Sequence, residues 1–555
     1  MSAMRLNKIF TKITELLKKY LTTMPQPTDI ICSNDGERQA VNKHDSTTQD
    51  SPANASLKDI LIVGGGTAGW MAAAALSHVY KNQPCRIRLV ESDQIGTIGV
   101  GEATIPVIQK FNQMLGIDEN DFIKHTQGTF KLGIEFVNWG SVGNSYIHPF
   151  GSYGMSMGYL SFYHYWLRMA AEQQVRDPGE FSISIQAALR GRFMPPANIP
   201  NSPLSQIGYA YHFDASLYAK YLRTFAQQRG VERIEGEIAQ VVLRTEDGFI
   251  EKVVLKDGES LSAQLFIDCT GFRGLLIEQA MNTGYDDWSH WLPCDTAVAV
   301  PSKNISDPLP YTRSIAHSAG WQWRIPLQHR TGNGHVFCSK YMSDDQAKKI
   351  LLDNIEGDAL ADPRFIRFKT GMRRKFWNKN CVAMGLASGF LEPLESTSIH
   401  LIQSSISKLI ALLPDANFHR ENIEKYNELL TSEFTFVRDF IILHYKVSQR
   451  TDSEFWNYCR RMQVPESLQK KLDLYESSGR LFRDNNELFD DVSWFAVMQG
   501  QGLQAKGYHP LANQIEAEEF KHIMQEIKAV VQRAADAMPT QAEYIAKHCA
   551  ARKLS

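Results

Sequence analysis

Lys58-Asp59-Ile60-Leu61-Ile62-Val63-Gly64-Gly65-Gly66-Thr67-Ala68-Gly69 sets a glycine turn between an apolar run and a helix-forming one. Residues Asp59 to Val63 read as a strand, a helix follows from Ala68, and Ile87 to Glu91 reads as the next strand. This βαβ beginning carries GxGxxG where it has mechanical meaning. With Gly65 between them, Gly64 permits the tight turn and Gly66 lets backbone approach a pyrophosphate, and Gly69 allows close helix–strand packing. With Thr67 and Ala68 opening the helix, free N–H groups face the phosphate charge. Glu91 ends the second strand, 22 residues past Gly69, where an acid bonds a ribose hydroxyl. The sequence thus predicts a dinucleotide site.

Working outward, Gln264 to Asp268 reads as a strand leading into Cys269-Thr270-Gly271, and Cys381 to Gly385 as another before a helix rich in Ile, Leu and Ser. From about Glu421 the chain reads mainly helical, for example over Ile423 to Tyr445 and Gln514 to Ala534. Three parts are expected. Residues 1–56 hold an amphipathic helix and a linker, residues 57–420 a core with inserted substrate-binding segments, and residues 421–555 a mainly helical substrate-side unit. The helix spans residues 5–22, with Leu6, Ile9, Phe10, Ile13, Leu16, Leu17, Tyr20 and Leu21 at helical spacing. Residues 25–56 are rich in Ser, Thr, Asn, Asp and Gln and read as a disordered linker.

The bulk figures narrow the function. The 555 residues, 43% hydrophobic, allow a large core divided among a few structural units. The 59 Lys and Arg nearly balance the 61 Asp and Glu, which argues against a nucleic-acid partner. Eight cysteines (Cys32, Cys85, Cys269, Cys294, Cys338, Cys381, Cys459, Cys549) lie scattered, without CxxC or metal spacing. No metal is expected, and reduced thiols point to a cytoplasmic location. The uncharged run from Ile60 to Leu76 is broken by glycines, so no transmembrane span is expected.

Ile267-Asp268-Cys269-Thr270-Gly271 is similar to the segment that closes the FAD site in flavoprotein monooxygenases. The expected fold is therefore α/β, an FAD-binding Rossmann-like domain of the flavin monooxygenase type with a largely helical C-terminal unit. More specific motifs follow. Trp321-Gln322-Trp323-Arg324-Ile325-Pro326 fits WxWxIP, and Gly99-Val100-Gly101-Glu102-Ala103-Thr104-Ile105-Pro106 resembles a flavin-covering strap. Phe390-Leu391-Glu392-Pro393-Leu394-Glu395-Ser396-Thr397 matches FxxPxxSxG except that Ser398 takes the last place. Gly128-Thr129-Phe130-Lys131, Phe136-Val137-Asn138-Trp139 and His212-Phe213-Asp214 complete the order. From about residue 58 to 460 the chain resembles the flavin-dependent tryptophan halogenases.

That resemblance implies that reduced FAD and O2 oxidise a halide ion to hypohalous acid, which travels through the protein to a separate aromatic substrate. Lys131 is implied to meet it there, by hydrogen bond or as a haloamine, with Glu395 as the second catalytic residue. Val100, Ala103, Asp268, Leu386 and Ile399 join the glycine turn and Glu91 as implied cofactor contacts. Trp321 and Trp323 would wall the substrate off from the flavin, Thr397 and Ser398 would hold the halide, and His148, Phe150 and Trp494 would stack on the substrate ring. A separate NAD(P)H-dependent flavin reductase is the implied partner; a homodimer is left open.

Two departures bear on specificity. Ser398 replaces the family's glycine at the halide site, which opens it to bromide or iodide as well as chloride. Phe489-Asp490-Asp491-Val492-Ser493-Trp494 lacks the Tyr-Tyr pair of enzymes acting on free tryptophan, and so favours an indole or another electron-rich arene. A flavin-dependent hydroxylase is the first alternative, but it predicts an acid after Gly385, where the chain has Leu386. A non-catalytic flavoprotein is the second.

Overall fold

The computed structural model describes residues 56–94, 101–173, 177–200, 202–484 and 487–553. The helix expected over residues 5–22, nearly all of the linker and Val100 lie outside the described residues. Strand Asp59–Val63 sits inside a six-stranded sheet, flanked by parallel partners Leu265–Asp268 and Arg86–Glu91. Cys381–Ala383 extends the sheet beside Leu265–Asp268, and Glu232–Glu235 extends it beside Arg86–Glu91. A central parallel strand is covered on both faces, so it must be apolar throughout. Ile60, Leu61 and Ile62 are accordingly buried.

The turn behaves as its glycines require. Gly64 has φ +107°, and a Cβ there would lie 2.4 Å from the Cys269 carbonyl oxygen. A Cβ on Gly69 would lie 1.9 Å from the Gly64 carbonyl oxygen, so the helix can close onto the turn only without a side chain. Helix Thr67–Val79 presents Ala72, Ala73, Ala74 and Ala75, all buried. Small residues all round let helices Ala215–Gln227 and Ser398–Ala411 pack closely against it.

A second, seven-stranded sheet runs in the order Arg364–Arg367, Thr296–Ser302, Thr331–Phe337, Gly320–Pro326, Thr312–His317, Gly133–Val137, Ser145–Pro149. Its pairs are antiparallel except Thr312–His317 against Gly133–Val137. The sequence left this region as mixed segments; it combines short hairpins with a pairing between remote strands, Thr312–His317 against Gly133–Val137. One continuous sheet therefore carries Trp321 and Trp323 near its middle and His148 at its edge.

The helical C-terminal stretch is present as helices Arg420–Lys446, Glu454–Arg461, Glu466–Ser478, Asp491–Gly500, Ala517–Asp536 and Gln541–His548. Asp491–Gly500 packs on strand Ser145–Pro149, and Ala517–Asp536 packs on helix Ile183–Leu189. The helix expected from Gln514 starts three residues later, because Pro510–Gln514 forms a 3-10 turn first. The strand expected to reach Gly385 ends at Ala383, since Gly385 turns the chain at φ +63°. Among the described residues no helix is long and apolar enough to cross a membrane.

Gly69→Ala is expected to lower the midpoint of thermal unfolding by several degrees, as followed by circular dichroism, because overpacking against backbone has no side chain to yield.

Candidate active site

A cavity of about 460 Å³ opens beside the glycine turn. Gly64, Gly65, Gly66, Thr67 and Ala68 line one end together with Glu91. Glu91 is held in place by Arg233 Nε at 2.6 Å and by Trp70 Nε1 at 3.3 Å. A Cβ on Gly65 would fall 1.5 Å from Glu91 Oε2, so the carboxylate folds directly over the turn. Ala103, Leu386 and Ile399 line the same cavity. A glycine turn at a helix start, an acid at the end of the second strand and an apolar far end fit what FAD requires, and the volume lies in the range of ligand sites, roughly 300–1,000 Å³.

Asp268 departs from the expectation. Its Oδ2 accepts from Leu276 N and Ile277 N, both at 2.8 Å, and its Oδ1 from Thr270 N at 2.9 Å and Thr270 Oγ1 at 2.6 Å. With every oxygen used inside the protein, it shapes the loop, and Cys269, Thr270 and Gly271 line the cavity in its place.

Trp321 and Trp323 stand two residues apart on strand Gly320–Pro326 and both face the cavity. Their ring centroids are 6.2 Å apart. Behind them Glu392, which the sequence reading missed, accepts from Trp321 Nε1 at 3.0 Å and Tyr445 hydroxyl at 2.6 Å. Burial pushes its carboxyl up to about 7, against the opposing effect of those two donors. The wall is therefore anchored from behind by a fixed polar group.

Lys131 ends strand Thr129–Lys131, which pairs with Ala210–Asp214. His212 locks that pairing: its Nδ1 lies 2.9 Å from Thr129 Oγ1 and its Nε2 2.9 Å from Thr312 Oγ1. Asp214 caps the next helix by accepting from Ser216 N and Leu217 N. The His-Phe-Asp motif is thus scaffolding for the lysine. Lys131 is fully buried; its Nζ donates to Ser396 Oγ at 2.8 Å and to Thr104 O at 3.0 Å. Ser396 also lines the cofactor cavity, held in the left-handed region at φ +59°. One serine hydroxyl thus separates the lysine from that cavity. Burial lowers the Lys131 amine from 10.5 to about 7, although the nearby Glu395 pulls it upward.

Glu395 lies in the 3-10 turn Pro393–Glu395 and is fully buried, so it is no exposed helix-cap acid. Burial alone would raise its carboxyl, but His148 and His444 outweigh it and hold Glu395 at about 2. His148 Nδ1 lies 2.9 Å from Oε2, and His444 Nε2 lies 2.8 Å from Oε1. His444 escaped the sequence reading. It is one histidine in a long helix, and no local pattern distinguishes it from a packed one. Phe150 lies under Lys131, with Nζ 5.0 Å from its ring centroid. His148 and Trp494 are brought together only through Phe440, 5.8 Å and 5.0 Å away respectively by ring centroids.

Ser398 begins helix Ser398–Ala411, lines the cavity and takes ordinary helical angles. A side chain at this position therefore costs no backbone strain. Thr397 is buried behind it, and its Oγ1 has no protein partner.

Glu395→Gln is expected to move the Lys131 amine further below about 7, since the neighbouring negative charge now raises it. The 13Cε chemical shift of Lys131 followed against pH measures this directly; an unchanged midpoint would rule out the coupling.

The tryptophan halogenase family model matches residues 59–517. A tryptophan 7-halogenase of Lentzea aerocolonigenes is 33% identical over 477 residues, covering 80% of this chain and 89% of that protein. The solved flavin-dependent halogenase of Xanthomonas campestris superposes with a TM-score of 0.87 at 45% identity, over 90% of this chain and all of that one. That of Brevundimonas sp. BAL3 does so at 0.85 and 44%, over 88% of this chain and 99% of that one. With the glycine turn, the tryptophan wall and the lysine one hydroxyl away from the cavity, the chain belongs to the tryptophan halogenase family and is a flavin-dependent halogenase.

Proposed function

We propose that this enzyme brominates or chlorinates an electron-rich arene of the indole type, using hypohalous acid made in the flavin cavity and spent at Lys131. The observation that carries the reading is the buried lysine whose ammonium is bonded to Ser396, itself part of the cavity lining. Reduced FAD supplies two electrons, so that FADH2, O2, halide and a proton become FAD, hypohalous acid and water. Gly64 to Ala68 and Glu91 would hold it, and a separate NAD(P)H-dependent flavin reductase would supply it.

The halide would sit at the start of helix Ser398–Ala411, where first-turn N–H groups lack partners and the Thr397 hydroxyl is unpaired. The Ser398 hydroxyl narrows and polarises that end of the cavity and favours bromide. Trp321 and Trp323 keep the arene away from the flavin, which disfavours direct hydroxylation. Lys131 donates a hydrogen bond to the oxygen of hypohalous acid. As a ring carbon bonds the halogen, the halogen–oxygen bond breaks and the departing hydroxide takes the lysine proton to form water. Glu395, ionised between its two imidazoles, takes the proton that the ring carbon loses. Glu395 then releases the ring proton and Lys131 regains one by exchange with solvent, which restores both groups. The lack of the Tyr-Tyr pair favours an indole over free tryptophan. The seven described cysteines are free, which agrees with a reducing, cytoplasmic setting.

Incubation with an indole panel, O2, a flavin reductase and equal bromide and chloride should yield monobrominated product by mass spectrometry. Lys131→Ala should still consume reduced flavin while forming no halogenated product; normal halogenation by that variant would remove the lysine from the mechanism. Dominant chlorination would overturn the reading of Ser398.

A further inference from the structure

Lys131 and Glu395 have no accessible area, and His148 has 2%. A side chain with none adjoins no void large enough for water, so no arene can reach these groups in the conformation described. Something must move to admit it. The ring beside His148 that does not belong to the core strands or to helix Arg420–Lys446 is Phe489. It stacks on Phe440 with centroids 3.8 Å apart and planes 17° apart, which is the geometry of a bound flat ligand. Its centroid lies 6.3 Å from the His148 ring, and His148 in turn touches Glu395. Trp494 closes the same box edge-on to Phe440, 5.0 Å away at 79°.

A second, independent feature concerns a polar atom. Trp494 is 2% exposed, and its Nε1 has no acceptor. A buried donor left unpaired is costly, and a ligand acceptor would remove that cost. Lys471 packs on the Trp494 side of this box: its Nζ donates to Phe482 O at 2.9 Å and to Asp484 at 2.8 Å and lies 5.2 Å from the Trp494 ring centroid. Phe489 itself is buried and stacked, a packed ring rather than a stray side chain.

We infer that Phe489 occupies the place of the substrate ring, and that the substrate is a flat arene bearing an oxygen acceptor, which displaces Phe489, stacks on Phe440 and accepts from Trp494 Nε1. This rests on the arene-halogenating reading above. The residue is specificity-determining, because every substrate must compete with it. Displacement exchanges one stack for another, so affinity depends on how far the incoming ring exceeds a phenyl group in area and hydrogen bonding.

The test uses flavin-loaded full-length protein carrying 4-fluorophenylalanine, with the Phe489 resonance assigned by its loss in Phe489→Leu. On saturation with 5-hydroxyindole, that 19F resonance should move towards the solvent-exposed position. Phe489→Ala should bind 5-hydroxyindole more tightly by about tenfold, since no ring has to leave. Trp494→Phe should erase the preference for 5-hydroxyindole over 5-methylindole. An unmoved resonance while saturation transfer shows bound indole, no indole binding at all, no gain in Phe489→Ala, or a preference retained in Trp494→Phe would each overturn the inference. If Phe489→Ala does not fold, the labelled wild-type protein decides. Binding as expected without halogenated product would leave Phe489 in this role and sink the chemistry proposed above.

Discussion

The hydrogen bond from Lys131 Nζ to Ser396 Oγ ties the buried lysine to the lining of the cavity. Lys131 ends strand Thr129–Lys131, and Thr104 O supplies its second acceptor. A buried amine needs such acceptors to stay in place, and they hold it at one serine's distance from where an oxidant would form. The left-handed backbone of Ser396 sets that distance. It turns the chain sharply enough for Glu395 to face His148 and His444 while Ser396 and Ser398 line the cavity, all within four residues.

Around this contact the electrostatics divide two groups of opposite tendency. Burial draws Lys131 towards neutrality, whereas two imidazoles keep Glu395 ionised in an equally dry place. A carboxylate without partners there would cost several kcal/mol. The pair thus offers a labile proton and a proton acceptor side by side, the combination that electrophilic substitution on a ring requires.

The tryptophan wall and His148 are built on one sheet, which fixes the distance between them. Trp321 and Trp323 face the cavity from strand Gly320–Pro326, and Glu392 with Tyr445 fixes Trp321 from behind. Two strands along, Gly133–Val137 aligns Ser145–Pro149 so that His148 pairs opposite Ile134 and reaches Glu395. Paired strands hold position over this span, whereas Phe489 lies off the sheet, just before helix Asp491–Gly500.

The local parts of this protein were legible in its residues. The βαβ unit, the glycine turn, the acid at Glu91 and the wall tryptophans at alternate positions follow from turn sterics and from the two-residue period of a strand, which neighbours in sequence determine. The ordered motifs also marked Lys131 and Glu395. What the sequence could not state was which distant groups they meet. His444 lies 49 residues beyond Glu395 and Phe440 lies 49 before Phe489. Asp268, read as a cofactor contact, is spent on its own loop because neighbouring N–H groups reach it first. The pairings of Glu395 with His444 and of Phe440 with Phe489 are instead decided by how helix Arg420–Lys446 packs against remote segments, and such packing leaves no periodic trace in either one.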